Sequence, residues 1–169
     1  MLKYLVSALG ALCLYQSNVA ADEMIQLPDN CQNIELSMIK CPLDEGVSMD
    51  DAAASMRLRA NFLNFKLVAH MPLSEQVKAM GGKSPRMEIF QFCDAAIAAK
   101  MVSQSLAFAG FLPCRIALVA DKKGKAWLIT LNMDQTLGEA KLPKDLISHG
   151  MQVRNNVYNI MEAGATGDL

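Results

Sequence analysis

The chain has 169 residues, a formal net charge of -1, 52% hydrophobic residues and 20% charged residues. That length suits one domain with a proper hydrophobic core, and the composition excludes a disordered chain. No basic stripe with interleaved aromatics is present, which argues against nucleic acid as a partner.

The first residues predict a secretory signal peptide. Lys3 supplies a positive start, Tyr4 to Leu14 is an apolar run, and Val19-Ala20-Ala21 places small residues where a signal peptidase cuts, ahead of Asp22. Cleavage is expected after Ala21, so that residues 1–21 are lost and the mature protein is periplasmic. The apolar run is short for a bilayer span, so membrane contact is expected only through the signal before cleavage. Leu12 is bulky and Cys13 lies inside the apolar run, which argues against a lipid anchor there. Four cysteines remain: Cys31, Cys41, Cys93 and Cys114. An even number in an oxidising compartment favours disulfides.

Residues 22–47 read as an N-terminal extension to a single domain over 48–169. Within the extension, Ile34, Leu36 and Met38 alternate as in a half-buried strand over 33–40, which Pro42 and Gly46 end. Ser48, with Asp51 three residues on, predicts a capped helix start. Met49, Ala53, Met56, Ala60 and Leu63 fall along one face of that helix. Phe65 to Met71 predicts a strand closed by Pro72, Ser74 to Met80 a short helical turn, and Glu88 to Phe92 another strand. Asp94 is the predicted N-cap of a helix running through Phe108 and stopped by Gly110. Arg115 to Ala120 and Ala126 to Leu131 predict two strands joined by a turn at Asp121-Lys122-Lys123-Gly124. The last helix is predicted over Leu142 to Glu162, with Pro143 at its start and Gly164 past its end. Strands and helices in this order make an α+β fold, with helices laid on an antiparallel or mixed sheet.

The stretch from Met87 to Asp134 carries more. IFQFCD ends one strand, LPCRIALV starts the next, DKKGKAWLITLNMD follows as turn and strand, and IMEAGATG lies near the C-terminus. Together, over roughly residues 48–167, these pieces resemble the bacterial and archaeal family called domain of unknown function 302. The resemblance implies a mainly antiparallel sheet with helices packed on it, similar to the TATA-binding-protein-like fold in single copy, and commonly a homodimer. It implies no established activity. Fold likeness does not carry function, and nothing in the chain resembles a DNA-binding surface.

Cys93 and Cys114 are the foremost candidate site residues, because they stand where elements end and loops carry function. Parallel strands would put them at opposite ends of the sheet, about 20 Å apart. Antiparallel strands would put them at the same end, which the resemblance favours. A close pair has three readings: a structural disulfide, a redox-active or sulfur-handling dithiol, or a metal or haem ligand pair. Cys93 precedes a helix whose N-terminus would favour thiolate. Asp94 and Arg115 join the candidate site, with Phe92, Pro113 and Trp127 as expected neighbours. Cys31 and Cys41 are the candidate structural disulfide, closing a short loop.

No metal site is expected, although His70 is a weak candidate to join Cys93 around copper or zinc. His149 is expected to be solvated, and Glu88, Asp94 and Asp134 to be solvated caps in the absence of a nucleophile or second base. Twelve methionines invite a copper reading. Without Met-x-x-Met clusters they fit core filling better, and they also suit an adaptable apolar pocket. The function expected is therefore non-catalytic binding of a small ligand or partner. The alternatives are a thiol redox or sulfur-transfer protein using Cys93 and Cys114, and a metal or haem binder. The sequence names no cofactor.

Overall fold

The computed structural model describes residues 25–168, so the predicted signal peptide lies outside the described residues. In chain order the elements are β1 (Gln32–Ile34), β2 (Met38–Pro42), α1 (Met49–Phe62), β3 (Lys66–Met71), α2 (Leu73–Ala79) and β4 (Met87–Cys93). Then come α3 (Ala95–Gln104), a 3-10 helix (Leu106–Phe111), β5 (Cys114–Ala120), β6 (Ala126–Leu131), α4 (Met133–Glu139) and α5 (Lys144–Thr166). The strands form one sheet in the order β1-β2-β6-β5-β4-β3, and every neighbouring pair is antiparallel. The fold is α+β, as the sequence predicts.

The period of two along β4 divides the sheet into two unlike faces. Glu88, Phe90 and Phe92 are buried, while Met87, Ile89, Gln91 and Cys93 are half-buried. The buried set meets Ile116 and Leu118 of β5 and Leu128 of β6, and packs against Met56 of α1 and Val157, Ile160 and Met161 of α5. The opposite face presents Met71, Ile89, Ala117 and Ile129 in register, and none of them is fully buried.

Local signals set most element boundaries. The Ser48 hydroxyl accepts from Asp51 N at 3.1 Å, and the Asp51 carboxylate accepts from Ser48 N at 3.2 Å, which completes the capping box of α1. At the β5–β6 turn, Gly124 takes φ 82°, the left-handed region that glycine enters without a Cβ penalty.

Four expectations are corrected. Residues 33–40 are not one strand but a hairpin, because Leu36 and Ser37 turn the chain with positive φ. The helix begun by Asp94 ends at Gln104, where Ser105 is extended and its hydroxyl accepts from Ala107 N to start the 3-10 helix. The segment after β6 is helical, because the Asn132 side chain accepts from Gln135 N and so caps α4. Gly164 lies inside α5, and Gly167 at φ 74° ends that helix.

The extension is tied to the domain in two ways. β2 pairs with β6, and Cys41 enters the core at 1% exposure. Cys31 and Cys41 form a disulfide across β1 and the turn, which contributes about 2–3 kcal/mol in the loop-entropy picture.

Candidate functional site

Antiparallel neighbours need only a short hairpin between them. The link from β4 to β5 instead takes residues 94–113, folded as α3 and the 3-10 helix. That link builds one wall of a cavity of about 570 Å³. Ile97, Met101, Phe108 and Phe111 face it from the link, and Met133 and Leu137 from α4. Gly150 and Val153 of α5 close the far side. A Cβ at Gly150 would stand 2.9 Å from Leu137 Cδ2, so glycine there lets α4 approach α5. The sheet supplies Cys93, Cys114 and Arg115 from its end, and Met71, Ile89, Ala117 and Ile129 from its uncovered face. The cavity therefore extends from the sheet end onto that face. Its lining is almost wholly apolar, and four of the methionines, Met38, Met71, Met101 and Met133, belong to it.

Cys93 and Cys114 both line this cavity and both are free thiols. Phe92 pairs with Cys114 in the β4–β5 ladder, so the two cysteines stand one register step apart at the same end of the sheet. Burial pushes the Cys93 thiol up, and the neighbouring Asp94 carboxylate pushes it further. Burial and then the field of Cys93 push the Cys114 thiol up to about 11, against a backbone hydrogen bond that favours the thiolate. The expected thiolate stabilisation at the helix start is thus reversed. Asp94 Oδ1 accepts from Ala96 N at 2.9 Å and Ile97 N at 3.0 Å, so the first donors of α3 serve a carboxylate rather than a thiolate. Arg115 contributes nothing to either thiol.

A thiol with a pKa of about 11 is thiolate in about one molecule per thousand at pH 8. Iodoacetamide is therefore expected to alkylate Cys114 at least ~100-fold more slowly in the native protein than in urea. Equal rates, read by peptide mapping, would contradict this environment.

Arg115 is exposed, lies opposite Gln91, and shares the uncovered face with Ala117. No described residue forms an ion pair or hydrogen bond with its guanidinium. Pro113 lines the cavity as expected, but two other expected neighbours do not. Phe92 is fully buried on the helix-covered face, 6.5 Å from the Phe65 ring. Trp127 lies towards the β5–β6 turn, where its Nε1–H donates to Asp121 and Lys40 and Lys125 sit over its ring.

His70 is not beside Cys93. Its place in β3 directs it to the helix-covered face, where its ring stacks on Phe90 with centroids 4.5 Å apart. Arg57 Nη2 donates to His70 Nδ1 at 3.0 Å, and His70 Nε2 donates to Glu88 Oε2 at 2.6 Å. An arginine can only donate, so the ring is the neutral Nε2–H tautomer and both nitrogens are occupied. Glu88 is buried and also accepts from Arg86 at 2.5 Å, and Arg86 reaches Asp50 at 2.7 Å. Glu88 is thus the buried centre of a part-buried network, not the solvated cap expected. No signal within β3 or β4 alone could show this, because the partners come from α1 and the strand start.

The exposed Asp134 carboxylate does carry an ion pair. Its two oxygens accept from Arg154 Nε at 2.8 Å and Nη2 at 3.0 Å, and Arg154 also donates to the Ile25 carbonyl. His149 is half-buried and its Nε2 lies 3.1 Å from Lys100 Nζ. Among the described residues no group of three His, Cys, Asp or Glu side chains could hold a metal ion. No described helix is long and apolar enough to cross a membrane.

Comparison with known proteins bears on the whole domain. The crystal structure of an uncharacterized conserved protein DUF302 from Bacillus stearothermophilus is similar, with a TM-score of 0.62 and 16% identity. The similarity covers 76% of this chain and 98% of that one. At that identity the likeness shows the fold alone. The search of curated proteins returned no match. The family model described as "Domain of unknown function DUF302" matches residues 39–164, from β2 to the end of α5, and the chain belongs to that family.

Proposed function

We propose that this protein is a non-catalytic binder of a small, largely apolar molecule. The observation that carries the reading is the cavity of about 570 Å³ beside Cys93 and Cys114. Small-ligand sites span about 300–1,000 Å³ and combine apolar walls with a few polar groups. A concavity of this size, bordered by α3, α4 and α5 and open to solvent where Phe111 and Arg115 are exposed, is a feature that packing alone does not require. Four flexible methionine side chains suit a wall that adapts to its ligand. The thiols are held protonated, and the only imidazole–carboxylate pair among the described residues, His70–Glu88, is fully bonded on the other face.

The test uses N-phenyl-1-naphthylamine, a neutral apolar fluorophore that brightens on leaving water. Saturable binding is expected with one site per chain. Ala117→Trp, which fills the cavity floor, is expected to weaken it at least ~10-fold, equivalent to about 1.4 kcal/mol. Absence of saturable binding by the unaltered protein would overturn the reading.

We also take the protein to act outside the cytoplasm. The Lys3 to Ala21 pattern supports this, as does a Cys31–Cys41 disulfide of the kind that cytosolic reductants keep open. A dithiol function is the second reading, supported by the nearness of Cys93 and Cys114 at one end of the sheet, although strand alternation turns Cys114 to the helix-covered face with Phe92 and Cys93 to the other. Their raised thiol pKa values weigh against it, since thiolate is the reacting species. The metal or haem reading loses His70, whose two nitrogens are occupied.

A further inference from the structure

We infer that the ligand is an amphiphile with one apolar chain and an anionic head group, and that Arg115 holds the head. This rests on the binding reading above and adds its chemical class.

Arg115 is the one cation among the described residues lining the cavity. Other arginines already hold carboxylates: Arg86 pairs with Glu88 and Asp50, and Arg154 with Asp134. Arg115 alone in the cavity wall presents a free planar fork, the geometry that binds a carboxylate or a phosphate through two parallel hydrogen bonds. It is exposed and lines an apolar cavity, where an ion pair formed against the apolar wall is stronger than in open water.

The acid in the wall, Asp94, does not compete for this role, because its Oδ1 is bound to two backbone N–H groups at the start of α3. It instead sets the direction of the ligand. An anionic head avoids the Asp94 end and lies at Arg115, which leaves the chain to run towards Ile97, Met101 and Val153. A neutral apolar ligand would gain nothing from the lone guanidinium, and a cation would be repelled by it.

The experiment displaces bound N-phenyl-1-naphthylamine with hexadecanoate, hexadecan-1-ol and hexadecylphosphate, each below its aggregation concentration. Hexadecanoate or hexadecylphosphate is expected to bind at least ~10-fold tighter than the alcohol, and whichever binds tighter identifies the head-group chemistry. Arg115→Gln is expected to bring acid and alcohol within about 2-fold of one another, and Arg115→Lys to keep part of the preference. If the alcohol binds as tightly as both anions, or Arg115→Gln keeps the preference, the class is wrong while the cavity reading stands. Loss of acid and alcohol alike in Arg115→Gln would make Arg115 a wall-former and overturn the inference. If neither the fluorophore nor any of the three binds, the cavity reading itself falls.

Discussion

Glu88→Gln is expected to lower the unfolding free energy at pH 7 by about 2–3 kcal/mol, measured by urea denaturation. Glu88 is 8% exposed and holds Arg86 and His70 together, so a neutral amide there leaves the Arg86 guanidinium with only the exposed Asp50 as counter-charge. The same network predicts a pH dependence. Burial works against the Glu88 charge, but the hydrogen bonds from Arg86 and His70 and the Arg86 charge outweigh it and hold the carboxyl below the usual glutamate range. A carboxyl lowered in the folded state adds stability that is complete above its ordinary value near 4.5 and is lost as pH falls through the folded value. Stability should therefore decline below about pH 4.5, and less steeply in Glu88→Gln. Parallel acid limbs in the two proteins would show that the network contributes nothing to stability.

Gly164→Leu is expected to cost about 3 kcal/mol. Where α5 crosses α1, a Cβ on residue 164 would lie 2.6 Å from Met56 Cγ and 3.0 Å from Leu128 Cδ1. Met56 is fully buried, so it has no solvent to move into. The measurement is again urea denaturation, with Met56→Ala as the second arm. Met56→Ala alone should destabilise by leaving a cavity, yet in combination the two changes should cost clearly less than their sum, because each relieves the fault of the other. Strict additivity would mean that the two residues do not share the crossing.

The elements with local causes were legible in the sequence. The Ser48–Asp51 capping box, the Asp94 N-cap and the Gly124 turn each rest on interactions within a few residues, and each stands where the pattern predicts it. The breaks at Leu36-Ser37 and at Ser105 were less legible. Both occur inside patterns whose periodicity continues on either side, with no glycine or proline to mark the change. Gly164 misled in the opposite direction. A glycine near a helix end reads as a stop, and here it serves the approach of another helix, a requirement that lies more than a hundred residues away in Met56.

Sequence by itself determined that the domain is α+β, that it belongs with the family its motifs resemble, and which residues stand at the junctions on either side of the β4–β5 link. Tertiary structure alone decided what those residues face. Antiparallel pairing brought Cys93 and Cys114 to one end of the sheet, the alternation of β3 turned His70 to the other face, and the packing of α3, α4 and α5 left a cavity open between them. The reason is physical. Caps and turns draw their energy from neighbours in the chain, whereas a cavity, a shifted thiol or a shared carboxylate exists only where segments distant in sequence exclude water together.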